Sequence, residues 1–125
     1  MFEYKFTVVK VVDGDTIDAL VDLGFSVHKK IRVRLYGINT PESRTRDLEE
    51  KKRGLEAKDR LESLLKEHKE TLFIKSHGTG KFGRCLGELL FKEYDEFQDE
   101  FVVKNINRQL VNEGHAVEYF GGKKQ

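Results

Sequence analysis

Apolar residues recur with two different periods along the chain, and each change of period marks a new element. Phe6 to Val12 is dense in Val and Phe and reads as a strand buried on both faces. Asp13-Gly14 marks a tight turn. In Thr16 to Leu23, Ile17, Ala19, Val21 and Leu23 alternate with polar positions that include Asp18 and Asp22, the signature of a half-buried second strand. Gly24 closes it. Lys29 to Tyr36 is a third strand, with Ile31, Val33 and Leu35 on one face and Arg32, Arg34 and Tyr36 on the other. Short turns between the three predict a meander.

Ser43 to Arg53 is a charged connector, expected as a mobile, solvated loop whose Arg44 and Arg46 are within reach of a nucleic-acid backbone. From about Leu55 the period becomes helical. Ala57, Leu61, Leu64, Leu65 and His68 line one stripe, and Glu56, Arg60, Glu62 and Lys66 fill the other side. Glu56–Arg60 and Glu62–Lys66 are i,i+4 pairs worth about 0.2–0.5 kcal/mol each. Gly54 inside a helix costs about 1 kcal/mol, so the helix is predicted to start at or just after it.

Thr71 to Ser76 is a fourth strand, and the glycine-punctuated loop from His77 to Gly83 delivers Arg84. Cys85 to Phe91 is the fifth strand. Glu93 to Glu100 is an acidic, aromatic-dotted insert, expected as an exposed hairpin or loop. Ile106, Leu110 and Val111 predict a short second helix that stops at Gly114, and Ala116 to Phe120 is a brief extended tail. Three strands, a helix, two strands and a helix predict a single domain over residues 1–125, an α+β chain folded as a five-stranded OB-type Greek-key barrel.

Composition adds limits. With 23 basic and 22 acidic residues the net charge is +1, so affinity for phosphate must come from local clusters rather than from the whole surface. A lone cysteine, Cys85, rules out an internal disulfide and, within an apolar strand pattern, reads as packing. No apolar run approaches the roughly 20 residues of a membrane span. Met1 to Lys5 lacks the basic and apolar regions of a secretory signal. A cytoplasmic monomer with no membrane association is expected, and no protein partner is inferable.

The candidate chemistry lies where the third strand ends. Gly37 and Pro41 break the strand, leaving Asn39, Thr40 and Glu42 on a turn just beyond Arg34. An arginine beside oxygen-bearing side chains suits the joint holding of a metal ion and a phosphate. The plain alternative is an exposed strand with solvated arginines and an ordinary turn. Asp13-Gly14-Asp15-Thr16 upstream and Lys81-Phe82-Gly83-Arg84 downstream change the balance. The D-G-D-T, R-L-x-G-I-N-T-P-E and K-F-G-R elements, in this order, resemble the staphylococcal nuclease (thermonuclease) family, and the likeness runs from about Val8 to about Tyr119.

The resemblance implies a calcium-dependent nuclease that cleaves DNA and RNA to 3′-phosphate ends. By matching positions, Asp15, Asn39 and the Thr40 carbonyl are the implied calcium ligands, with Asp13 adding charge nearby. Glu42 is the implied general base. Arg34 and Arg84 are implied to grip the phosphate, and Lys81, Phe82 and Tyr119 to contact substrate. Guanidinium suits phosphate because it is always charged and offers paired donors. One position departs from the pattern: the family usually carries Asp where this chain has Asn39. An amide keeps a ligating oxygen but removes a charge, so weaker calcium binding by about 1–2 kcal/mol, or a shift to another divalent metal, is expected. Family members also commonly carry a further C-terminal helix, which is expected to be missing because the chain ends soon after Gly114.

Two readings from other classes compete. One is a weak or inactive OB-fold module that binds single-stranded nucleic acid or a protein partner, and the other is a calcium-binding structural domain. Four scattered histidines and one cysteine make no zinc spacing, Asp13-Gly14-Asp15 lacks the rest of an EF-hand loop, and Gly80-Lys81-Phe82 is not a phosphate-binding Walker loop.

Overall fold

The computed structural model describes residues 2–79 and 84–120. Strands β1 (Glu3–Asp13), β2 (Thr16–Asp22) and β3 (His28–Leu35) form the expected antiparallel meander. A two-residue strand β4 (Ile38–Asn39) leads to helix α1 (Leu48–Glu67), followed by β5 (Leu72–Thr79) and β6 (Cys85–Asp95). Then come β7 (Glu100–Asn105), α2 (Ile106–Asn112) and β8 (Val117–Glu118). Strand β1 also pairs antiparallel with β5, β5 with β6, and β6 runs parallel to β3 through Val33↔Cys85, Arg34↔Leu86 and Leu35↔Gly87. The pairings therefore close into a ring, β1-β2-β3-β6-β5 and back to β1, in the order of an OB-fold.

Alternation decides what fills the ring. Ile17, Val33, Leu35, Ile74 and Leu89 point inward and are fully buried, joined by Leu61 and Leu64 of α1 and Ile106 and Leu110 of α2. Buried Asn107 locks the junction where β3 meets β6. Its Oδ1 accepts from the Leu89 N–H at 3.1 Å, and its Nδ2 donates to the Tyr36 and Gly87 carbonyls at 2.9 and 3.1 Å. A buried amide that satisfies three main-chain groups holds them in one arrangement.

Several expectations are corrected. Strand β1 is not buried on both faces: Phe6 and Val11 are buried, whereas Val9 is 50% exposed. A strand in a closed ring has an outer face, and only an overlying helix buries it. Helix α1 starts at Leu48, so the second half of the connector is helix rather than loop. Asp47 caps it, its carboxylate accepting from the Glu49 and Glu50 N–H groups at 3.1 and 3.2 Å, with both glutamates favourably placed in the first turn. The stripe of Ala57, Leu61, Leu64 and Leu65 is buried as expected. Arg60, however, does not use Glu56. It grips Glu113 beyond α2 with two hydrogen bonds of 2.6 and 2.9 Å, and these hold the Glu113 carboxyl down to a pKa of about 2. A bidentate partner reached through tertiary structure outcompetes a single flexible i,i+4 contact.

The acidic insert is a hairpin: β6 continues to Asp95 and pairs with β7. The tail is tied down, since β8 pairs with β4 through Ile38↔Glu118 and Asn39↔Val117. Among the described residues no helix is long and apolar enough to cross a membrane.

Candidate active site

Three excursions of the chain meet at one end of the ring: the β1–β2 turn, the segment from β3 through Arg44, and the residue that leads into β6. Between them lies an open cleft of about 330 Å³. Asp13, Asp15 and Thr16 line it from the first excursion, Arg34 and Asn39 to Glu42 with Arg44 from the second, and Arg84 from the third. Asp15, Arg34, Asn39, Thr40, Glu42 and Arg84, dispersed in sequence, thus face one space.

Asp15 is the hub. Its Oδ1 accepts from the Thr16 hydroxyl at 3.0 Å, and its Oδ2 accepts from the Thr40 N–H at 3.0 Å. Arg34 Nη1 stands 3.4 Å from the same Oδ2, and Nη2 donates to the Asn39 Oδ1. Arg34 is also held by carbonyls, Nη1 lying 3.2 Å from Leu35 O. Asn39 ends the short strand β4 rather than sitting on the expected turn, which falls at Tyr36–Gly37, and these bonds draw Asn39 and Thr40 onto the β1–β2 turn. Gly14 makes the approach possible: a Cβ there would lie 2.8 Å from the Ala57 Cβ and 3.0 Å from the Thr40 Oγ1.

Asp15, Asn39 and Thr40 are all nearly buried, at 8%, 7% and 3% exposure. Buried oxygens concentrated at a cleft wall are ligands suited to a hard cation, whereas the Thr40 Oγ1, buried without a hydrogen-bond partner, packs beside Gly14. Among the described residues no three His, Cys, Asp or Glu side chains converge as a metal-binding group. A cation here would therefore lean on neutral oxygens beside Asp15. Around it the cleft carries carboxylates (Asp13, Asp15, Glu42) and guanidiniums (Arg34, Arg44, Arg84) in equal number, so charges of both signs face one space.

Tyr119 does not line this cleft. Its N–H donates to the Gly37 carbonyl at 2.8 Å, which places it beside the exit of β3. Lys81 and Phe82 lie outside the described residues. Arg44 lines the cleft, 4.0 Å from Asp13. Sequence reasoning missed Ser43, whose hydroxyl donates to Asp13 Oδ1, and Gly54, which α1 needs in order to pass the Glu42 main chain. A glycine inside a helical period was the available signal for the second. A larger cavity of about 440 Å³ lies on the far side of Asn39–Pro41, against α1 and the end of α2. Of its three acids, Glu113 is engaged by Arg60 and Glu50 by the Glu42 N–H, and Glu56 shares the wall with Arg53 and His115.

Comparison with known proteins bears on this arrangement. The profile of the family described as "Staphylococcal nuclease homologue" matches residues 32–125. The chain is 32% identical over 118 residues to the micrococcal nuclease of Shigella flexneri, covering 94% of this chain and 59% of that protein. It is 30% identical over 117 residues to protein ParB of Escherichia coli, covering 94% of this chain and 58% of that one. The chain thus spans somewhat under two thirds of the length of these curated relatives.

Proposed function

Because this chain belongs to the family of staphylococcal nuclease homologues, we propose that it is a metal-dependent nuclease that hydrolyses phosphodiester bonds in DNA and RNA and leaves 3′-phosphate ends. One observation carries the reading: Arg34 and Arg84 line the same cleft as Asp15, Asn39 and Glu42. A module that merely binds nucleic acid has no use for a carboxylate in the same cleft as two phosphate-gripping arginines.

Phosphodiester hydrolysis requires an activated water, neutralised phosphoryl oxygens and a stabilised leaving oxygen, and the protein contributes mainly position and charge. In this proposal Asp15, the Asn39 amide and the Thr40 carbonyl hold calcium. When bound, the ion supplies positive charge against the phosphoryl oxygens. Arg34 and Arg84 bind the phosphate and stabilise the charge it gains in the transition state. Glu42 takes the proton from the attacking water. Lys81, Phe82 and Tyr119 contact the substrate by charge and stacking. Asn39 in place of a second carboxylate weakens calcium relative to the family pattern, which leaves another divalent metal as a candidate.

The test is cleavage of single-stranded and duplex DNA and of RNA, with calcium and with chelator. Fragmentation that requires the ion, with 3′-phosphate ends, is expected. Retention of nucleic acid without cutting in any divalent metal overturns the proposal in favour of a binding module, the reading that Asn39 favours because an amide there removes one negative charge from the site.

A further inference from the structure

A carboxylate that abstracts a proton works only where its main chain is fastened, and Glu42 belongs to no helix or strand. What fastens it comes from α1 and the β1–β2 turn. The Glu42 N–H donates to Glu50 Oε2 at 3.3 Å. Helix α1 then runs directly beneath the Glu42–Ser43 peptide: a Cβ on residue 54 would lie 2.5 Å from both C and O of Glu42 and 2.7 Å from the Ser43 N. One residue on, Ser43 is 4% exposed and donates its hydroxyl hydrogen to Asp13 Oδ1. The main chain of Glu42 is thereby held at its N–H, under its carbonyl, and through the next side chain.

We infer that Ser43, Glu50 and Gly54 are positioning residues that set where the Glu42 carboxylate stands in the cleft. The inference rests on the nuclease reading and assigns these residues no contact with substrate. Magnitudes favour this role over simple stabilisation. The Glu50 bond is solvent-exposed and contributes little to folding, whereas displacing a reacting group by about 1 Å lowers a rate about 10²-fold. Glycine at residue 54 is what lets the interior of α1 come this close to the Glu42 main chain.

The experiment uses the full chain, a DNA substrate and calcium. Ser43→Ala and Glu50→Ala are each expected to lower kcat about tenfold to hundredfold while KM stays within about twofold. Ser43→Thr keeps the hydroxyl and Glu50→Gln keeps an acceptor oxygen, so both are expected to restore most of the rate. In a Glu42→Gln background the two alanine substitutions are expected to add no further loss, because they act through the carboxylate already removed. Wild-type kcat in both alanine variants, or losses that persist undiminished in the Glu42→Gln background, overturns the inference while the nuclease reading stands. An unmutated chain that cuts nothing in any divalent metal overturns the nuclease reading, and this inference with it.

Discussion

Gly54→Ala separates the two physical demands placed on α1. Alanine is the better helix former, and in a helix interior the exchange is worth about 1 kcal/mol. Against this, the new methyl would sit 2.5 Å from the Glu42 carbonyl carbon and oxygen, atoms of a main chain that cannot rotate out of the way. Relief requires the Glu42–Ser43 segment and the helix to part by on the order of 1 Å, and overpacking of this kind costs about 1–3 kcal/mol. The net loss is about 0–2 kcal/mol, a melting temperature lower by a few degrees, and the protein stays folded at assay temperature. If the nuclease reading holds, the same displacement at Glu42 is expected to lower cleavage about 10²-fold. Thermal unfolding followed by circular dichroism, alongside DNA cleavage measured well below the transition, reads both effects on one sample. A Gly54→Ala protein that gains about 1 kcal/mol and cuts at the unmutated rate would refute the contact between α1 and Glu42.

Asn39→Asp adds a carboxylate to the cleft and is expected to tighten calcium by about 1–2 kcal/mol, roughly 5- to 30-fold by calorimetry; unchanged affinity would exclude residue 39 as a ligand. Arg84→Ala and Glu42→Gln are each expected to remove most cleavage, on the order of 10²–10³ in rate, with melting temperature little changed; normal rates would remove both from the site. Asn107→Ala strips partners from three main-chain groups and is expected to cost about 2–4 kcal/mol in urea unfolding, a loss under about 1 kcal/mol being incompatible with its bridging role. Arg60, followed by Gln109, holds Glu113 at a pKa of about 2, below the ordinary carboxylate value. That stabilisation is therefore complete above the unfolded-state pKa and disappears as pH falls towards 2. Both side chains are about one third exposed (33% and 31%), so solvent screening limits the effect to about 1 kcal/mol. The stability gap between the unmutated chain and Glu113→Gln should close in acid, and a gap constant from pH 7 to pH 2 contradicts the assignment.

The parts of this protein that depend on neighbours in the chain were legible in its residues. Val33 and Leu35 turn inward, with Ile31 half-buried against the same core, because successive side chains of a strand alternate faces, and Ala57, Leu61, Leu64 and Leu65 share a buried stripe because a helix repeats every 3.6 residues. Gly114 ends α2 with φ +83°, a conformation that favours glycine. The start of α1 was legible too, in Asp47 followed by two glutamates, but the weight given to Gly54 masked it. Helix propensity measures a residue against solvent, whereas residue 54 faces another main chain, where the missing side chain is what permits contact.

Tertiary structure alone decided the rest. Parallel pairing of β3 with β6 carries Arg84 to the cleft that Arg34 lines, and β8 fastens the tail on β4. Arg60 passed over the glutamate one helical turn away for Glu113, which folding brought beside it. Local sequence restricts backbone angles and chooses which face is apolar, but strand partners are selected when the ring closes and the whole apolar surface must be buried at once. A cleft assembled from three separate excursions of the chain exists only after that closure.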